Sequence, residues 1–423
     1  MNHFERRGDH YYCEGVPLAK LADAVGTPAY IYSRATLERH ARRLRDAFAE
    51  YPTLACFAVK ANSNLSLLNM IFNEGYGADL VSMGELERAL KAGVKPDTIV
   101  FSGVGKRLDE IQRALQVGIL SFNVESAYEL ETISSAARAL NKVAPICLRV
   151  NPNIDAKTNE KIATGLYSTK FGLPETELSE LLTRIRGDKH LSMVGMACHI
   201  GSQIVELSPL REAAQRMAEI SRGLQAQGLP LKLLNMGGGL GIRYRDETPP
   251  SLEDYAKTLL EAVRPTGLKL VIEPGRVLIG NVGVLLTRVQ GVKRTSVRHF
   301  VVLDAAMNDL VRPSLYEAYH EIEPVRAPGT TAVNVTCDFV GPICETGDYL
   351  GKNREVPLPS AGDLFLIRGA GAYGSSMASQ YNSRPRAPEV LVDGDSFRVI
   401  RPREDLSSLW TSEIPALDAG SKP

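Results

Sequence analysis

Between about residues 34 and 280 the chain alternates short apolar runs with amphipathic stretches. The runs are LACFAVKA, GADLVS, TIVFSG, LSFNV, APICLRVN, MVGMACHIG, LLNMGGG and KLVIEPG. Each is followed by apolar residues at helical spacing, or by a loop leading to them. RATLERHARRLRDAFAE (34–50) sets the pattern just before the first run. About eight strand–helix units in roughly 250 residues predict a (β/α)8 barrel. A doubly wound sheet is the alternative, although it normally uses about five or six strands.

Beyond about residue 280 helical periodicity gives way to β-branched, turn-punctuated runs. These are VGVLLTRVQGVKRT, RHFVVLDAA, AVNVTCDFVGPI, DLFLIRGAGAY and PEVLVDGDSFRVI. They predict a mostly antiparallel β domain. TPAYIYS (27–33) reads as a strand that precedes the first barrel helix and joins that domain. The expected division is 1–34 as an N-terminal segment packing with the β domain, 35–280 as the barrel, and 281–423 as the β domain. The tail ALDAGSKP is expected to fray.

Composition narrows the setting. A chain of 423 residues, 44% hydrophobic and 23% charged, buries a sizeable core without disulfides or structural metals. Lys+Arg and Asp+Glu both number 49, which gives no support to a nucleic-acid or anionic-membrane partner. Cys13, Cys56, Cys147, Cys198, Cys337 and Cys344 form no CxxC pair and no zinc-like spacing, so no metal is expected. MNHFERRGDH is too polar for a signal peptide, and no apolar run approaches a membrane-spanning length. The expectation is a soluble, cytoplasmic protein.

In a (β/α)8 barrel the chemistry sits where the strands end at their C-terminal face. Lys60 ends the first predicted strand, His199 the sixth (ACHIGSQ), Gly237, Gly238 and Gly239 the seventh (NMGGGLG), and Glu273 the eighth (VIEPGR). Taken singly, each has a plain reading: a lysine reaching water, a packed histidine, a tight turn. Together they describe a phosphate cradle, an amine and a carboxylate, the requirements of pyridoxal 5'-phosphate (PLP). Lys60 would bond the cofactor aldehyde, helped by burial of its amine. Glu273 would keep the pyridine nitrogen protonated, and His199 would stack on the ring.

The motifs FAVKAN, HIGSQI, GGGLGI and EPGR, in this order, resemble the fold-type III PLP-dependent decarboxylases, and the resemblance covers nearly the whole chain. It implies a cofactor site of Lys60, His199, Ser202, Gly238, Gly239, Glu273, Gly275, Arg276 and Tyr373. It also implies a head-to-tail homodimer with active sites at the subunit interface. LDAAMNDLVRPSLYEAYH, GPICETGDYL and GAGAYGSSMASQYNSRPRAPEVLV are similar to members that convert meso-2,6-diaminopimelate to L-lysine and carbon dioxide. By that resemblance Arg276, Arg312 and Tyr316 contact the distal carboxylate and Glu345 takes the distal ammonium. Tyr373 lies against cofactor and substrate. Cys344 donates the proton, and with Glu345 it reaches the site from the partner subunit.

Two departures are small: Phe57 stands where tyrosine is frequent, and Ala305-Ala306 where glycine is common. A decarboxylase of ornithine, arginine or a carboxylated polyamine is the main rival. Those substrates leave a buried arginine set without its partner. An amino-acid racemase would more naturally carry arginine in place of Glu273, and a non-catalytic PLP carrier has no need of the CETGD and RPSLY elements. ATGLYSTKFG (163–172) is a candidate for a loop that closes over the site.

Overall fold

The structure, a computed structural model, describes residues 3–329 and 333–415. The ALDAGSKP tail lies outside them. The chain divides into two compact units, one comprising residues 38–278 and the other 1–37 with 279–423.

The first unit is a closed, all-parallel barrel of eight strands. In chain order they are Thr53–Ala58, Gly77–Leu80, Ile99–Phe101, Ser121–Val124, Ala144–Arg149, Leu191–Ala197, Leu233–Asn235 and Lys269–Ile272. Each overlaps one of the eight apolar runs, the first strand beginning one residue and the sixth two residues ahead of its run, and the eighth closes on the first through Leu270 opposite Thr53. Leu54, Cys56, Val100, Cys147, Val194, Ala197, Leu233 and Val271 form one buried cluster drawn mostly from alternate strands, the layered filling typical of such barrels. Helices follow where the 3.6-residue pattern begins, and several start on a side-chain cap. Asn64 accepts from the Ser66 amide, Ser82 from Glu85 and Ser126 from Glu129.

The second unit centres on a long strand, Gly283–Arg294. Its first half pairs antiparallel with Ala29–Ser33 and with Leu364–Ile367, and its second half with His299–Leu303. The N-terminal strand therefore belongs to the β unit, as expected. Glu389–Asp393 runs parallel to Ala29–Ser33 and turns back into Ser396–Arg401. Tyr349–Pro357 closes the opposite edge against Asn334–Val340. The polar start also carries more structure than its composition suggests: a small three-stranded sheet, Phe4–Arg7, His10–Cys13 and Val16–Pro17, precedes helix Leu18–Val25.

Candidate active site

At the barrel mouth the first strand ends at Ala58 and passes into a short 3-10 turn, Val59–Ala61, which carries Lys60. The Lys60 ammonium pairs with Asp79, a wholly buried acid in the second strand, while the lysine side chain is 39% exposed. Burial of the amine is therefore only partial, and a charged partner accompanies it.

Glu273 follows the eighth strand, and its amide donates to the Gly237 carbonyl at 2.8 Å, which ties the seventh and eighth strand mouths together. Its Oε1 accepts from Asn235 Nδ2 at 2.7 Å and Asn123 Nδ2 at 3.2 Å. Burial, reinforced by the neighbouring Asp79 charge, pushes the Glu273 carboxyl up to about 7 against the opposing pull of Lys60, Asn235 and Arg149. Arg149 is itself engaged by Glu125 at 2.9 Å.

The glycine turn is shaped by close approach. Gly237 has a φ of +64°, and a Cβ there would lie 2.8 Å from His199 Nδ1. A Cβ on Gly238 would lie 2.0 Å from the Glu273 carbonyl oxygen. This crowding lets the Gly238 amide donate to His199 Nδ1 at 3.1 Å, which leaves the ring proton on Nε2. Burial, with Arg149 and Lys60 nearby, holds His199 well below its ordinary range, so the ring is neutral. Gly239 accepts from the Ile204 amide at 2.8 Å. Buried Arg276, immediately after Gly275, donates to Ser202 Oγ at 3.1 Å and to the Tyr244 hydroxyl at 2.7 Å.

A deeper network supports these groups. The fully buried Lys106 donates to the Gly103 carbonyl at 2.7 Å, the Asn123 carbonyl at 2.8 Å and the Glu129 carboxylate. Glu129 accepts the Glu125 amide at 2.8 Å, and Glu125 accepts the amides of Gly103 at 2.7 Å and Gly172 at 3.2 Å. The end of the 163–172 segment is thus held from below by Glu125.

Other expected residues lie in the second unit. Arg312 and Tyr316 sit four apart on the helical turn Arg312–Tyr316 and so share a face. Buried Arg312 donates to His320 Nε2 at 2.8 Å, and His320 Nδ1 faces the Arg368 carbonyl at 2.7 Å. Ser314 Oγ reaches the Gly347 carbonyl at 2.7 Å, joining that turn to the CETGD loop. There Cys344 and Glu345 are exposed, whereas the other five cysteines are buried. Tyr373 is half-buried, with a left-handed φ of +56° that only a strongly determined site imposes on a tyrosine.

Asp79, Asn123, Asn235 and Lys106 are site groups that the sequence reading does not single out. For the first three the signal is the one that marks Lys60, a polar residue inside an apolar strand run: GADLVS, LSFNV, LLNMGGG.

PLP fits the barrel mouth. Two buried carboxyls, Asp79 and Glu273, stand near the Lys60 ammonium, which already pairs with Asp79, and a protonated pyridine would give the Glu273 carboxylate a partner of its own. Asp79 Oδ1 and Asn123 Oδ1 are buried without a hydrogen-bond partner among the described residues. No cluster of potential metal ligands and no helix long and apolar enough to cross a membrane occurs among those residues.

Comparison with known proteins places this site in a class. The family model "Pyridoxal-dependent decarboxylase, pyridoxal binding domain" matches residues 34–280, the barrel with its lysine, histidine, glycine turn and glutamate. The chain is a PLP-dependent decarboxylase by fold and site. It is 48% identical to diaminopimelate decarboxylase of Vibrio cholerae over 98% of its own length and 99% of that protein's. It superposes on diaminopimelate decarboxylase of Helicobacter pylori complexed with L-lysine with a TM-score of 0.91, at 44% identity, covering 94% of this chain and 100% of that one. The M. jannaschii enzyme in co-complex with L-lysine gives a TM-score of 0.93 at 34% identity, covering 98% and 99%. The chain belongs to the diaminopimelate decarboxylase family.

Proposed function

We propose that this protein decarboxylates meso-2,6-diaminopimelate to L-lysine and carbon dioxide with PLP. The observation that carries the reading is the barrel-mouth constellation of Lys60, Glu273 and His199, in a chain whose relatives bear that activity along nearly their whole length. Bound PLP would supply an electron sink for the electron pair left on the α-carbon when carbon dioxide departs.

This chain's residues provide the rest. Lys60 would hold the cofactor covalently through its amine. Glu273, held by Asn123 and Asn235, keeps a proton on the pyridine nitrogen. His199, neutral and fixed by the Gly238 amide, offers an uncharged ring to the cofactor face. Ser202, Gly238, Gly239, Gly275 and Arg276 form the phosphate cradle, with Tyr373 completing the cofactor contacts. Arg276, Arg312 and Tyr316 bind the distal carboxylate, where a planar guanidinium suits a bidentate acceptor. Glu345 takes the distal ammonium, and Cys344 delivers a proton to the α-carbon after carbon dioxide departs.

The exposure of Cys344 and Glu345 supports a homodimer in which each chain lends this pair to its partner's site. The working compartment is the cytoplasm, where thiols stay reduced. Arg312→Ala tests the substrate assignment: KM for diaminopimelate rises at least about tenfold, the cost of one lost charged contact. An unchanged KM removes Arg312 from the substrate site.

A further inference from the structure

The CETGD loop and the segment 379–384 hang from one turn, 304–309. Asp348 receives the Met307 amide on Oδ1 at 2.7 Å and the Ile343 amide on Oδ2 at 2.8 Å, anchoring the loop to that turn. The fit leaves no slack, because a Cβ on Gly341 would stand 2.5 Å from both Ala306 Cβ and Asp348 Oδ2. Segment 379–384 is fastened at both ends: the Ser379 amide donates to the Asn308 carbonyl at 2.9 Å, and Arg384 Nη2 to the Asp304 carbonyl at 2.6 Å.

Between those anchors the backbone is strained. Asn382 and Ser383 are consecutive left-handed residues, with φ of +55° and +52°. Asparagine tolerates this conformation better than most residues, but serine gains no such advantage. The strained turn aims Asn382 Oδ1 at the backbone amide of Cys344, 2.9 Å away. The neighbouring Tyr381 hydroxyl faces the Glu345 carboxylate, which pushes the phenol's pKa up.

We infer that Asn382 and Tyr381 are positioning residues for the proton-donor loop, Asn382 fixing the Cys344 backbone and Tyr381 orienting the Glu345 carboxylate. The pair is then assembled within its own chain before it meets any substrate. The inference rests on the reading of Cys344 as proton donor and Glu345 as ammonium ligand.

Asn382→Gly keeps the left-handed backbone and deletes the acceptor, whereas Asn382→Asp restores an acceptor. Deuterium uptake at the Cys344 amide, read without turnover, is expected to be slow in the wild type and in Asn382→Asp. In Asn382→Gly it is expected to be at least about tenfold faster, as for a lost hydrogen bond. In the PLP-loaded enzyme, Asn382→Gly lowers kcat about tenfold with little change in KM, Asn382→Asp recovers most of it, and Tyr381→Phe mainly raises KM. Wild-type kcat in Asn382→Gly, or uptake equal to the wild type, overturns the proposal. Cys344→Ala separates the two levels. If that variant is inactive while Asn382→Gly turns over normally, only the positioning role fails; if it turns over at the wild-type rate, the proton-donor reading fails as well.

Discussion

Glu273 is a glutamate whose ordinary acidity is overridden by burial and by Asp79. Its carboxyl, raised to about 7 from an ordinary 4.5, favours the folded cofactor-free protein while it is protonated. That contribution is complete below pH 4.5 and is lost as pH rises through 7. Thermal unfolding of the cofactor-free protein between those pH values should therefore show a fall in Tm that Glu273→Gln flattens. The PLP-loaded protein should show a smaller fall, because a protonated pyridine would give the ionised Glu273 carboxylate a partner. Buried Asp309, also raised to about 7, keeps its share of the slope. A wild-type slope in the variant would contradict the assignment. In turnover, Glu273→Gln is expected to cost on the order of 100-fold in kcat, the usual price of removing one preorganised charge contact. Lys60→Ala should lose the visible absorption of the bound cofactor, and a persisting band would reject Lys60 as its carrier. At this scale the sequence displays Lys60, His199 and Glu273 through their places at strand ends. Asn123 and Asn235 stand in equally apolar runs, but an asparagine has a plain structural reading and its target appears only when the barrel closes.

The Lys106–Glu129 pair belongs to the scale of elements, since it joins the loops after the third and fourth strands to the helix Ala127–Ala139. Both side chains are fully buried, so removing one partner leaves an uncompensated charge. Lys106→Met should cost about 3–5 kcal/mol, and Lys106→Met with Glu129→Leu should recover most of it. Urea unfolding measures both; equal stabilities for wild type and single variant would show that the pair is not held as described. The eight barrel strands are legible because parallel strands covered on both faces read as continuous apolar runs. The edge strand Tyr349–Pro357 is not. Its YLGKNREVP carries Lys352, Arg354 and Glu355, the charged residues that blunt an exposed sheet edge, and these erase the apolar signal of a strand. The three short N-terminal strands escape for a similar reason, each being four residues or fewer.

For the whole molecule, the sharpest test concerns the proposal that each chain lends Cys344 and Glu345 to its partner's site. Lys60→Ala and Cys344→Ala, each inactive alone, should regain activity when mixed and allowed to exchange chains. Half of the dimers would be mixed, with one intact site in two, giving about a quarter of wild-type activity. Absence of recovery despite exchange would place Cys344 in its own chain's site. The division into barrel and β unit is legible from the change of period near residue 280, but the use of Ala29–Ser33 as a β-unit strand is a long-range pairing that local pattern only suggests. The central claim is that the site demands a substrate with a second amino-acid end, and carbon dioxide release from meso-diaminopimelate, ornithine, arginine and lysine, compared side by side, tests it most directly. Release from diaminopimelate alone, matched by equimolar L-lysine, is the expected result; faster release from ornithine or arginine would contradict it.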